Sequence, residues 1–121
     1  PTAIGSGLGG RGGLLAGNDS VNAWRNAMCG HAACNILPVV TSNRIGREHM
    51  TEDRKSHLDF YGSSFIADHE GQVVEQAGRN QEEVLVHRFD FQKVKEYRDS
   101  WAVFRDRRPD LYGALITLDG G

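Results

Sequence analysis

A chain of 121 residues, 39% of them apolar, is long enough to bury the core of one domain and too short for several independent ones. Fourteen basic residues against sixteen acidic ones leave a formal net charge of −2, which offers no electrostatic footprint for nucleic acid or for an anionic membrane. The uncharged stretch from Met28 to Asn43 is interrupted by Gly30, His31, Asn35 and Pro38 and falls short of the roughly 20 apolar residues that span a bilayer, while two cysteines cannot build a disulfide framework.

The sequence opens at Pro1 without a basic segment leading into an apolar one, so the cytoplasm is the expected compartment. Its first residues read as the middle of a folded unit, which points to a partial chain; Leu115-Ile116-Thr117-Leu118-Asp119-Gly120-Gly121, tailing off with two glycines, reads as a natural end. Residues 5–17 hold seven of the fifteen glycines and predict a loop, because so much backbone freedom opposes helix and strand alike. Asn18, Asp19 or Ser20 then caps a helix on which Val21, Trp24, Ala27, Met28, His31 and Ala32 recur every three or four residues, as far as about Asn35.

Ile36-Leu37-Pro38-Val39-Val40-Thr41 is short, apolar and β-branched and predicts a buried strand with Pro38 near its beginning. Residues 46–59 are charged and without period, and predict a surface loop. Residues 62–67 and 72–77 flank Asp68-His69-Glu70-Gly71, a polar turn that makes them a β-hairpin. Val84 to Phe89 alternates and predicts a further strand. Phe91, Val94, Tyr97 or Arg98, and Trp101 share one face of a last helix with Asp90 as its N-cap, and Pro109 marks its end or the start of an extended tail.

Several motifs suggest chemistry and lack its context. Gly5-Ser6-Gly7-Leu8-Gly9-Gly10 has the letters of a dinucleotide-binding turn, yet glycines continue where the helix should open and only a few residues precede it. Cys29 and Cys34 bracket His31, but five helical positions separate the thiols by about 140°, and no second ligand pair has zinc spacing. As a nucleophile, either cysteine would need a base that faces it, and His31 does not; burial as small apolar residues is the expectation. Trp101, Phe104, Arg105, Arg107, Arg108 and Tyr112 could recognise a partner, but Asp99, Asp106 and Asp110 interleave with them, so internal ion pairs or a subunit contact account for the cluster. His49, His57, His69 and His87 have no diagnostic spacing and are expected to be solvated or locally hydrogen-bonded.

Read from residues alone, the chain is an α/β segment without a catalytic constellation. Its blocks do resemble a family in order: Pro1-Thr2-Ala3-Ile4-Gly5-Ser6, Trp24-Arg25, Gly30-His31-Ala32-Ala33, Pro38-Val39-Val40, Ser42-Asn43-Arg44-Ile45-Gly46, Tyr61 to Ala67 with Gly71, and Trp101 to Tyr112. They are similar to the C-terminal part of the nitrilase superfamily of carbon–nitrogen hydrolases, and within it to the N-carbamoylputrescine amidase family. The resemblance implies one partial hydrolase domain over residues 1–121, belonging to an αββα sandwich with a mixed sheet and helices on one face. It implies pairing across a subunit interface in a homo-oligomer, and a small carbamoyl amine or amide as substrate.

Such enzymes join a cysteine nucleophile, a glutamate base and an oxyanion-stabilising lysine, with no metal or organic cofactor. The resemblance places that triad ahead of Pro1, so no catalytic residue is assigned to this chain, which is expected to be inactive alone. The alternative is a non-catalytic oligomerisation module of the same fold. The residues the family places at the edge of the substrate pocket are Thr2, Ala3, Ile4, Asn43 and Arg44; for the last two a capped turn with a surface ion pair is the competing reading. Gly7 stands where the family commonly carries an acidic residue, which leaves the recognition of a cationic substrate tail open.

Overall fold

The computed structural model describes residues 5–6, 20–49, 52 and 57–119. Thr2, Ala3, Ile4, Gly7 and most of the predicted glycine-rich loop lie outside them. The chain divides into two units, Pro1–Phe89 and Asp90–Gly121.

The first unit holds strand β1 (Gly5–Ser6), helix α1 (Val21–Asn35) and strands β2 (Val39–Thr41), β3 (Ile45–His49), β4 (His57–Tyr61), β5 (Phe65–Ala67) and β6 (Val73–Gln76). They form two three-stranded sheets, ordered β1-β4-β3 and β2-β5-β6. Every ladder among the described residues is antiparallel, so the parallel pairings of a mixed sheet are not among them.

Helix α1 forms where the apolar stripe predicts it, with Ser20 as N-cap, although the Ser20 side chain makes no capping bond and instead reaches the Tyr61 hydroxyl at 3.2 Å. Its end is local chemistry: Ile36 turns left-handed, its N–H and that of Leu37 close onto Ala33 and Ala32 carbonyls, and Pro38 forbids continuation. The strand predicted from Ile36 therefore begins only at Val39. Val21, Trp24 and Ala32 pack on Tyr61, Phe65 and Ala67, with Met28, Cys29 and Val39 around them. The Trp24 ring meets Phe65 edge-on at 5.3 Å, a favoured aromatic geometry.

The β5–β6 hairpin follows the prediction, because Asp68 Oδ1 accepts the backbone N–H groups of Glu70 and Gln72 and so shapes the turn locally. The turn also tucks against α1: a Cβ at Gly71 would lie 2.8 Å from the Cys29 carbonyl oxygen.

Three readings are corrected in this unit. Residues 46–59 are not simply a loop, since β3 and β4 pair from Ile45↔Tyr61 to His49↔His57. Their alternation is hidden because charge pairs rather than apolar residues stitch the outer end, with Arg47 opposite Asp59 and bonded to it at 2.6 and 2.8 Å. Gly5–Ser6, read as loop, pairs with Phe60 and Asp59. Residues 84–89, read as a strand, join no ladder among the described residues.

In the second unit α2 (Phe91–Trp101) starts as expected at Asp90, whose carboxylate accepts from the Gln92 and Lys93 N–H groups at 3.0 and 3.3 Å. It ends at left-handed Ala102, well before Pro109, and the tail is not extended: Pro109–Leu111 and Gly113–Ile116 are 3-10 turns. The basic cluster is satisfied internally, by Arg105 on Asp106 at 2.9 Å and Arg108 on Asp110 at 2.9 Å, and by Arg98 stacked over Phe104.

Candidate functional site

The first unit carries a cleft of about 430 Å³ where its two sheets exchange strands. Ser42–Arg44 takes the chain from β2 in one sheet to β3 in the other, and Gly62–Ser64 returns it from β4 to β5. The two crossings lie side by side. Asn43 donates its Nδ2 hydrogen to the Gly62 carbonyl at 2.9 Å and its backbone N–H to Ser64 Oγ at 2.9 Å, while Gly62 N–H reaches the Arg44 carbonyl at 2.8 Å. Residues beyond β6 join them, since Ser63 N–H donates to Gly78 O at 3.0 Å and Ala77 N–H to Ser64 O at 2.8 Å.

The return crossing depends on two successive left-handed residues, Gly62 at φ +56° and Ser63 at φ +60°. Ser63 is buried, and its hydroxyl donates to the Tyr61 carbonyl at 3.1 Å, which helps to hold a backbone that L residues avoid. On the far side Glu83 Oε1 accepts the Gly78 N–H at 2.8 Å, and Glu82 and Gln81 complete that wall.

Both predicted residues of this seam, Asn43 and Arg44, line the cleft. They do different things. The Asn43 amide is spent on the neighbouring crossing and positions backbone. The Arg44 guanidinium stays about half exposed, stacked 4.7 Å above the Phe60 ring and paired with Glu48, so the surface ion pair weighed for it is present. Sequence reasoning did not single out Gly78 and Glu83, which are far from Asn43 in the chain and join it only through the fold.

Among the described residues that line the cleft there is no Cys, Lys or His. Cys29 lies half-buried on α1, where burial pushes its thiol pKa up, partly offset by the Arg25 cation and reinforced by Asp68. A raised pKa keeps it a thiol, which is the opposite of what a nucleophile needs. Cys34 is exposed, contrary to the expected burial, because it falls on the helix face away from the Trp24 stripe. Among the described residues no group of three or more His, Cys, Asp or Glu side chains is placed to hold a metal ion, and no helix is long and apolar enough to cross a membrane.

A family model described as carbon-nitrogen hydrolase matches residues 17–99. An N-carbamoylputrescine amidase of Solanum tuberosum is 51% identical over 121 residues, which is 99% of this chain and 39% of that protein. A citrullinase of Francisella tularensis is 41% identical over 116 residues, or 96% of this chain and 38% of its own length. Among solved structures, a carbon-nitrogen hydrolase from Helicobacter pylori G27 superposes with a TM-score of 0.81 at 32% identity, over 98% of this chain and 40% of that one. The chain thus spans about two fifths of the length of the curated relatives it matches.

Proposed function

Because the chain belongs to the carbon-nitrogen hydrolase family, we propose that it is the sheet-and-rim part of an enzyme that hydrolyses a terminal ureido group on an alkyl chain, N-carbamoylputrescine first among them. The observation that carries this reading is the end-to-end identity of 51% with a protein named for that reaction. Citrulline, the compound named in the 41% identical relative, carries the same ureido group on an alkyl chain and differs at its far end.

In this reading a cysteine thiolate attacks the ureido carbon, a glutamate takes the thiol proton and a lysine offsets the charge that develops on oxygen. Water then completes hydrolysis to putrescine, carbon dioxide and ammonia, without metal or organic cofactor. These three groups belong to chain outside the 121 residues, which alone are inactive. Thr2, Ala3 and Ile4 border the substrate, Arg44 offers a cation at the rim, and Asn43 holds the crossing that presents it. Gly7 provides no carboxylate for a distal ammonium, which favours a weaker preference for the diamine. The working enzyme is a cytoplasmic homo-oligomer.

The test is a longer polypeptide in which the family's Glu, Lys and Cys segments precede Pro1, assayed for ammonia release from N-carbamoylputrescine and from citrulline. Turnover of either is expected. A well-folded long form that released ammonia from no carbamoyl amine or amide tried would overturn the reading.

A further inference from the structure

The outer end of the β3–β4 hairpin joins two imidazoles whose spacing along the chain gave no sign of a partnership. His49 and His57 stand directly opposite each other in the antiparallel ladder, so their side chains project from the same face of the sheet. Their rings lie 6.1 Å apart between centroids and meet edge to face. His49 is exposed and His57 half-buried, so an ion from solvent reaches both.

The neighbours on that face supply the rest of a ligand set. Asp59, two residues along β4, brings Oδ2 to 3.6 Å from His57 Nε2. Arg47 stands opposite Asp59 and fixes the carboxylate through hydrogen bonds of 2.6 and 2.8 Å. A metal-bound imidazole is oriented by a carboxylate on its other ring nitrogen, and Asp59 occupies that place, leaving Nδ1 of His57 as the donor. With metal–nitrogen bonds of about 2.0–2.1 Å, two rings on one tetrahedral ion have centroids roughly 5 Å apart, so a small side-chain rotation brings this pair to chelating distance. Imidazole selects borderline transition cations, whereas Mg2+ and Ca2+ take oxygen ligands.

We propose that His49 and His57 form a site for a divalent cation of the zinc class, with water completing the coordination and Asp59 as a positioning residue. The ion clips the hairpin at the end that charge pairs, not apolar packing, hold together. Four residues of strand, roughly 13 Å, separate it from the Ile45↔Tyr61 end beside the cleft, so it is a second site. It does not depend on the reaction proposed above.

The experiment is calorimetric titration with ZnCl2, joined to histidine footprinting with diethyl pyrocarbonate read by mass spectrometry. Both use the 121-residue chain and the longer polypeptide described above, so a chain that folds only with its upstream part is still tested. A Cys34→Ser background removes a competing exposed thiol. Zinc should protect His49 and His57 and leave His31, His69 and His87 reactive, and MgCl2 should protect none. His49→Gln or His57→Gln should weaken zinc binding by at least the roughly 10–100-fold that loss of an outer-shell partner costs. Asp59→Asn should weaken it about tenfold or more, whereas Arg47→Gln, which breaks the same ion pair but keeps the carboxylate, should not weaken it. Zinc that protects His31 or His87 equally, protection by magnesium, or unchanged affinity in either histidine variant would overturn the proposal. Equal losses in Asp59→Asn and Arg47→Gln would remove Asp59 from its positioning role. Because none of these readouts is ammonia release, failure of the functional reading leaves this one standing, and the reverse.

Discussion

Gly62→Ala adds one methyl group where the strand crossing has no room for it. At φ +56° an L residue costs about 1–2 kcal/mol in backbone energy alone. The added Cβ would also sit 2.8 Å from Ile45 Cγ2 and 2.9 Å from each of the Gly78 and Arg79 carbonyl oxygens. Two of those three are backbone atoms that cannot rotate away, so overpacking adds about 1–3 kcal/mol. The sum, about 2–5 kcal/mol, is a large part of the 5–15 kcal/mol that typically holds a domain together.

Two other glycines separate the two contributions. Gly46 has φ +88° with nothing within 4 Å of a built Cβ, so Gly46→Ala should show the backbone cost without collision. Gly30 lies inside α1 with nothing within 4 Å, so Gly30→Ala should stabilise by about 0.5–1 kcal/mol through helix propensity. Urea unfolding followed by far-ultraviolet circular dichroism ranks the three, with the Gly62→Ala midpoint lowered by about 1 M or more. Equal losses for Gly46→Ala and Gly62→Ala would refute the collision, and a neutral Gly62→Ala would refute the left-handed crossing itself.

Two further outcomes follow from the same structure. Alkylation with iodoacetamide at mildly basic pH should label exposed Cys34 well before Cys29, whose thiol is half-buried and held protonated; peptide mass mapping that found Cys29 reacting first would contradict its half-buried place on α1. Asp59 is held below its ordinary pKa, chiefly by the Arg47 hydrogen bonds, so its native carboxylate is favoured over the unfolded one. Its contribution is present above the ordinary carboxylate pKa of about 4 and is lost as pH falls through the lowered native value. The stability gap between wild type and Asp59→Asn should therefore narrow on acidification, and a gap that widened would reverse the assigned sign.

Where the residues carried their own local answer, the sequence was enough. The Val21–Ala32 stripe placed α1, Asp90 placed the start of α2, and Asp68 with Gly71 placed the β5–β6 turn, each through contacts a few positions apart. The family was also legible, through ordered blocks that include Asn43 and Arg44. What that reading left open was which of the two holds backbone and which presents charge, because Asn43 meets its partners at positions 62 and 64 only after the sheets exchange strands.

The hairpin of β3 and β4 was missed for a related reason. Apolar alternation reports burial on one face, and a ladder closed by Arg47 against Asp59 and His49 against His57 buries little there. Residues 84–89 show the converse: their pattern is that of a strand, yet a strand exists only where another pairs with it. Short-range physics, meaning caps, turns and helical stripes, is thus written in the order of the residues. Pairing between distant segments, and the cleft such pairing opens, is decided by which backbone groups find one another when the chain closes into three dimensions.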